Sequence, residues 1–118
     1  GAFFYTGDAH AAQGDGELCG VACEMTARVR VRLTVESGRS IAWPRIESET
    51  ELMTVGSARP MEDAARIAWK ELIAWLEADY GIDRWEAYQL LTHVGRMRIG
   101  NMVDPLYSVV ARLDKRYL

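Results

Sequence analysis

The chain has 118 residues, is 49% hydrophobic and carries a formal net charge of −3, which suits a single domain with a core of its own. Its acidic balance argues against a general affinity for DNA or anionic membrane surfaces, both of which reward basic patches. No stretch approaches the roughly 20 apolar residues of a membrane span and no signal peptide is legible, so a cytoplasmic protein with no nucleic-acid or membrane partner is expected.

The chain opens on Gly1 without a Met. That reads either as an added residue or as the new end left by cleavage of a longer chain. Ala2-Phe3-Phe4-Tyr5-Thr6 follows as a strand-like run, and Gly7 to Glu17 as a glycine-rich loop. Cys19 and Cys23 are four apart. On an extended strand that spacing separates their Cα atoms by roughly 13 Å, too far for a disulfide. Free, buried thiols in a reducing compartment are the expectation.

From Ala22 to Glu36, Ala27, Val29, Val31, Leu33 and Val35 alternate with Arg28, Arg30, Arg32, Thr34 and Glu36, the pattern of a half-buried antiparallel strand. Ser37 to Ser40 supplies a turn, and Ile41 to Trp43 reads as the returning strand, stopped by Pro44. Arg45 to Glu51 is polar and ambiguous. Leu52 to Val55 predicts a short strand closed by Gly56.

Pro60 then stands where a first helical residue belongs, Glu62 and Asp63 load the first turn with charge that the helix dipole favours, and Gly81 suits a C-cap. Between them Ala64, Ile67, Ala68, Leu72, Trp75 and Leu76 recur at helical spacing. Asp83 with Glu86 resembles a capping box, and Ala87, Leu90, Leu91 and Val94 form the stripe of a second helix ending near Gly95. Met97 to Val103 is mixed, and alternation at Tyr107, Val109, Ala111 and Leu113 predicts a closing strand. The order β-loop-β-β-β-α-α-β implies an α+β fold, with an antiparallel, sandwich-like sheet and a helical hairpin toward the C-terminus packed on it.

The chemistry concentrates in Gly7 to Glu17, which holds the carboxylates of Asp8, Asp15 and Glu17, the imidazole of His10, the amide of Gln13 and three glycines. Glycine lets a backbone approach a small ligand closely, and carboxylates with a neutral imidazole are donors that a divalent cation accepts. The plainer reading is a set of ordinary Gly-Asp and Asp-Gly turns. The spacing does not reproduce the helix-flanked twelve-residue calcium loop.

The run from Gly1 to Glu17, GAFFYTGDAHAAQGDGE, is similar to the signature G-A-L-F-x-x-G-D-x-H-A-x-Q-G-D-G-E of the acetamidase/formamidase family. The resemblance continues through Gly20 to Glu24, Met53 to Gly56, Glu86 to Leu91 and Val103 to Pro105, so residues 1–118 resemble the C-terminal portion of such a domain. Departures are Ala9, Val21 and Cys23, which bear on the substrate more than on the reaction class.

The resemblance implies hydrolysis of a small carboxamide to a carboxylic acid and ammonia, assisted by a divalent metal, zinc first and calcium as the other candidate. His10, Asp8 and Glu24 are the ligands it suggests, Glu17 the general base with Asp15 as alternative, and Gln13 a group that orients the substrate amide or else braces the loop. It also implies an upstream segment or second chain that completes the sheet against Phe3 to Thr6, and a homo-oligomer of the whole. Two rival readings are a non-catalytic binding or structural subunit that keeps the fold, and a thiol amidase built on Cys19 or Cys23.

Other features have plainer explanations. Arg28, Arg30 and Arg32 suit a solvated face, His93 a structural or partly exposed position, and Trp69, Trp75, Tyr80 and Trp85 helix packing. Trp43 suits the entrance of the site or a subunit contact, and Asp104 a turn or a late contribution to the site.

Overall fold

A computed structural model describes residues 3–118. Gly1 and Ala2, with the start of the first expected strand, lie outside the described residues. The architecture is α+β, with two antiparallel sheets and a helix pair. The small sheet joins β1 (His10–Ala12) to β2 (Cys23–Glu24). The larger sheet has the order β3-β4-β6-β5, from β3 (Arg45–Glu47), β4 (Glu51–Ala58), β5 (Arg96–Asn101) and β6 (Tyr107–Asp114), with every neighbour antiparallel.

Between β4 and β5 the chain forms α1 (Met61–Tyr80) and α2 (Arg84–Val94). The helix pair is therefore central rather than C-terminal, and two strands follow it. Pro60 is the N-cap of α1 rather than its first residue, so the helix starts one position later than expected. Gly81 closes α1 in the left-handed region, at φ 66°, and donates its N–H to the Leu76 carbonyl. The Asp83 carboxylate accepts from the Trp85 N–H at 2.9 Å and starts α2. These caps meet backbone groups that the first and last helical turns leave without partners.

The core forms where strand and helix periods meet. Leu52 and Thr54 on β4 and Val109, Ala111 and Leu113 on β6 point to one face, and Ala64, Ala68, Leu72, Trp75 and Leu76 of α1 cover it, with Ala87 and Leu91 from α2. At Gly56 a β-carbon would stand 2.1 Å from the Ala64 carbonyl oxygen and 2.7 Å from the Ala68 nitrogen, so a glycine there lets α1 lie directly on β4. Beside it Thr54 Oγ1 donates to the Ala68 carbonyl at 2.7 Å, which satisfies the buried hydroxyl. The Glu71 carboxylate, also buried on α1, accepts from Arg45 Nε at 2.7 Å, and the Arg45 guanidinium lies over the Trp75 ring. Trp75 is thus a core residue, whereas Trp85 and Tyr80 are exposed and Trp69 packs at the margin.

Several expectations are corrected. Residues 3–6 form no strand: Phe3, Phe4 and Tyr5 are exposed, and no described strand pairs with them. The expected strand over Ala22 to Glu36 reduces to Cys23–Glu24, and its apolar face is uncovered, from Val31 at 51% exposed to Val35 at 92%. Alternation marks a face fit for burial, but a strand also needs a neighbour for its backbone, and no described strand stands beside residues 25–36.

The expected hairpin with Ile41 to Trp43 is therefore absent, and the ambiguous stretch after Pro44 supplies β3 instead, with Arg45 opposite Thr54. β4 also runs through Gly56 rather than stopping there. Cys19 and Cys23 are free as expected but exposed rather than buried. No helix among the described residues is long and apolar enough to cross a membrane.

Candidate functional site

The small sheet sets the geometry of the acidic segment. His10 on β1 is the cross-strand partner of Glu24 on β2, so both side chains rise from the same face. Asp8, two residues before His10, reaches that face from a left-handed backbone at φ 54°, a conformation Asp adopts more readily than most residues. One donor atom from each of Asp8, His10 and Glu24 lies within 4.8 Å of the others. His10 Nε2 stands 3.2 Å from an Asp8 oxygen and 3.0 Å from a Glu24 oxygen.

Nε2 is buried and has no hydrogen-bond partner among the described residues, although both carboxylates are near it. Its partner atom Nδ1 is 3.1 Å from Gln13 Oε1, and Gln13 Nε2 donates to the Gly100 carbonyl at 3.0 Å. The Gly100 carbonyl can only accept, so it fixes which end of the Gln13 amide faces the imidazole. Nδ1 must then carry the proton, and the lone pair of the neutral ring sits on Nε2, toward the two carboxylates. The Gln13 oxygen also raises the His10 pKa above its ordinary value. Loss of hydration opposes that, and the Glu24 and Asp8 carboxylates add to it.

Two carboxylates beside one imidazole nitrogen without a hydrogen bond make a three-donor set that fits a divalent cation. An imidazole with two carboxylates suits zinc better than calcium, which prefers an all-oxygen shell. Gln13, engaged at both ends of its amide, acts here as the group that orients the imidazole.

Glu17 and Asp15 sit differently. Arg98 pairs with Asp15 Oδ1 through Nε at 2.8 Å and through a second guanidinium nitrogen. Glu17 holds a left-handed backbone at φ 47°, and its Oε2 accepts from Asn101 Nδ2 at 2.9 Å, while no described residue hydrogen-bonds Oε1. Between them Gly16, at φ 82°, donates its N–H to the Ile99 carbonyl at 2.8 Å and accepts from the Met102 N–H at 3.0 Å, which ties the loop to the end of β5. A β-carbon at Gly16 would stand 2.7 Å from Met102 Sδ.

The loop's partners on β5, Arg98, Gly100 and Asn101, were not singled out from the sequence. They lie more than 80 residues away, and only the fold brings them near. The Asn101 oxygen accepts from the Asp104 N–H, which places Asp104 in a turn, and it is not one of the three grouped donors. Among the described residues neither thiol hydrogen-bonds a histidine: Cys19 Sγ donates to the Val21 carbonyl, and the polar neighbours of His10 are Asp8, Gln13 and Glu24.

A cleft of about 320 Å³ beside the loop is lined by Gln13, Asp15, Met53, Arg98, Val110 and Arg112, among others. It opens on the sheet face away from the helices.

Among proteins with curated descriptions none matches. Among solved structures, the acetamidase from Yersinia enterocolitica is similar over 94% of this chain, with 47% identity and a TM-score of 0.84. The acetamidase from Bacillus halodurans is similar over 92%, with 30% identity and a TM-score of 0.82. A predicted acetamidase/formamidase from Thermoanaerobacter tengcongensis, 23% identical with a TM-score of 0.74, shares the fold. The chain spans 34% of the Yersinia protein and 37% of the Bacillus protein. The sequence profile of the Acetamidase/Formamidase family matches residues 1–112, from the acidic loop to the last strand of the sheet, and this chain belongs to that family.

Proposed function

We propose that this chain carries the acidic loop of an enzyme that hydrolyses a small carboxamide to a carboxylic acid and ammonia, with a divalent cation, zinc, held by Asp8, His10 and Glu24. The observation that carries the reading is the buried His10 Nε2, turned by Gln13 toward two carboxylates with which it makes no hydrogen bond. When bound there, a divalent cation supplies Lewis acidity toward a carbonyl oxygen.

The remaining work falls to the chain's own groups. Glu17 takes a proton at Oε1 from a water whose oxygen bonds to the amide carbon. It then returns the proton to the nitrogen as the carbon–nitrogen bond breaks, and ammonia leaves. Asp15 is the weaker candidate for this step because its partner is the Arg98 cation, whereas Glu17 accepts only from the neutral Asn101 amide.

The uncovered residues 3–6 and 27–35 support a second part of the proposal. An upstream segment or a second chain pairs with them and completes the sheet, and the whole assembles as a homo-oligomer. Two exposed free thiols suit a reducing, cytoplasmic setting.

The test is ammonia release from formamide, acetamide and larger amides by the native protein, together with elemental analysis. About one divalent ion per chain, activity lost with a chelator and regained with zinc, and a fall of roughly 100-fold or more in kcat for Glu17→Gln are expected. A metal-free protein with chelator-resistant activity would sink the metal site. Inactivity towards every amide, with the ion bound, would leave a non-catalytic binding subunit.

A further inference from the structure

We propose that Asn101 is the positioning residue that sets Glu17 for proton transfer, an inference that rests on the reading of Glu17 as general base. Asn101 ends β5 and is 9% exposed. Its Oδ1 accepts from the backbone N–H groups of Val103 at 3.1 Å and Asp104 at 2.9 Å. Two N–H donors on one side fix the amide orientation, because a flip would set the NH₂ group against them. Nδ2 is thereby aimed at Glu17 Oε2, 2.9 Å away, and the Glu17 carboxylate is turned so that Oε1 is left for water.

The local backbone explains why the amide points this way. The pairing of β5 with β6 slips between Ile99 and Asn101, so that Asn101 rather than Gly100 stands opposite Ser108. Such an irregularity bends a strand and re-aims its side chains. Here one slip serves two ends of the site: it presents the Gly100 carbonyl to Gln13, which orients His10, and the Asn101 amide to Glu17. The bonds between Gly16 and both Ile99 and Met102 keep the loop in register with this bend.

The donor role separates from the bracing role by substitution. Asn101→Asp keeps an oxygen for the Val103 and Asp104 N–H groups and replaces the donor by a like charge facing Glu17. Asn101→Ala removes both functions. In the full-length enzyme we expect Asn101→Asp to lower kcat by roughly 10- to 100-fold, with KM within about twofold of the parent. Its activity loss should equal or exceed that of Asn101→Ala, while its melting temperature stays nearer to the parent's.

A purely structural Asn101 gives the opposite order, with Asn101→Ala the worse in both activity and melting temperature, and that result would overturn the proposal. The paired variant Asn101→Asp with Glu17→Gln restores a hydrogen bond of reversed polarity. It should regain melting temperature and no activity, and recovery of kcat would also overturn the proposal. If Glu17→Gln alone leaves kcat intact, the reading of Glu17 as base has failed. If Glu17→Gln abolishes activity and Asn101→Asp does not lower it, only the present inference has.

Discussion

Residues 45–118 and residues 3–43 behave as two different kinds of structure. The first region forms its own sheet, covers one face of it with a helix pair, and contributes every residue of the buried apolar core. The second has one short pair of strands and a row of uncovered valines and leucine, yet it carries all six residues in which the candidate chemistry lies. Stability and chemistry are thus held by different stretches. The acidic loop meets the scaffold at the end of β5, through Arg98, Gly100, Asn101 and Met102, and Arg39 adds an ion pair with Asp79 on α1.

Substitutions can break or sharpen this division. The largest effect belongs to the scaffold: Leu72→Ala empties a fully buried position between α1 and the sheet and should cost about 2–5 kcal/mol in denaturant unfolding. A loss under about 1 kcal/mol would mean that the helix–sheet interface is not what holds the region together. Next comes Asp83→Ala, which removes the cap on the Trp85 N–H and should cost about 1 kcal/mol in the same measurement.

The smallest effect belongs to the uncovered strip. Leu33→Ser should change the stability of the isolated chain by no more than about 0.5 kcal/mol, because the side chain is 65% exposed. In a polypeptide that includes the upstream segment, the same change should cost more than about 1 kcal/mol, and amide hydrogens from residue 27 to residue 35 should exchange more slowly. Equal costs in both settings would mean that the strip is not a seam for another segment.

The scaffold is largely legible in the sequence because its signals are local. The α1 stripe, the Gly81 and Asp83 caps and the alternation over Tyr107 to Leu113 each lie within a few residues of what they specify. The edge strands β3 and β5 are less legible, since their polar, partly exposed residues follow from where they sit in the sheet and leave little pattern in the chain. The strip from Ala27 to Val35 has a strand's alternation without a described neighbour, so its pattern points to burial that these residues alone do not provide.

At the site, carboxylate density and glycine content drew attention to the loop. The proximity of Asp8, His10 and Glu24, by contrast, depends on cross-strand register and on a left-handed residue at Asp8. The roles of Gln13 and Asn101 depend on partners 87 and 84 residues away. No local window contains both halves of such a contact.

The stitch between Gly16 and Ile99 also has a consequence for the order of folding. Closing that span from an unfolded chain carries a loop entropy of roughly 4 kcal/mol, by the logarithm of its length. Once β3 to β6 have assembled, the free tether runs only from Gly16 to Arg45, and the same relation lowers the cost by about 1 kcal/mol. The cheaper sequence of events is scaffold first and loop last, so a folding chain can reach a compact, protected state before its carboxylates come together.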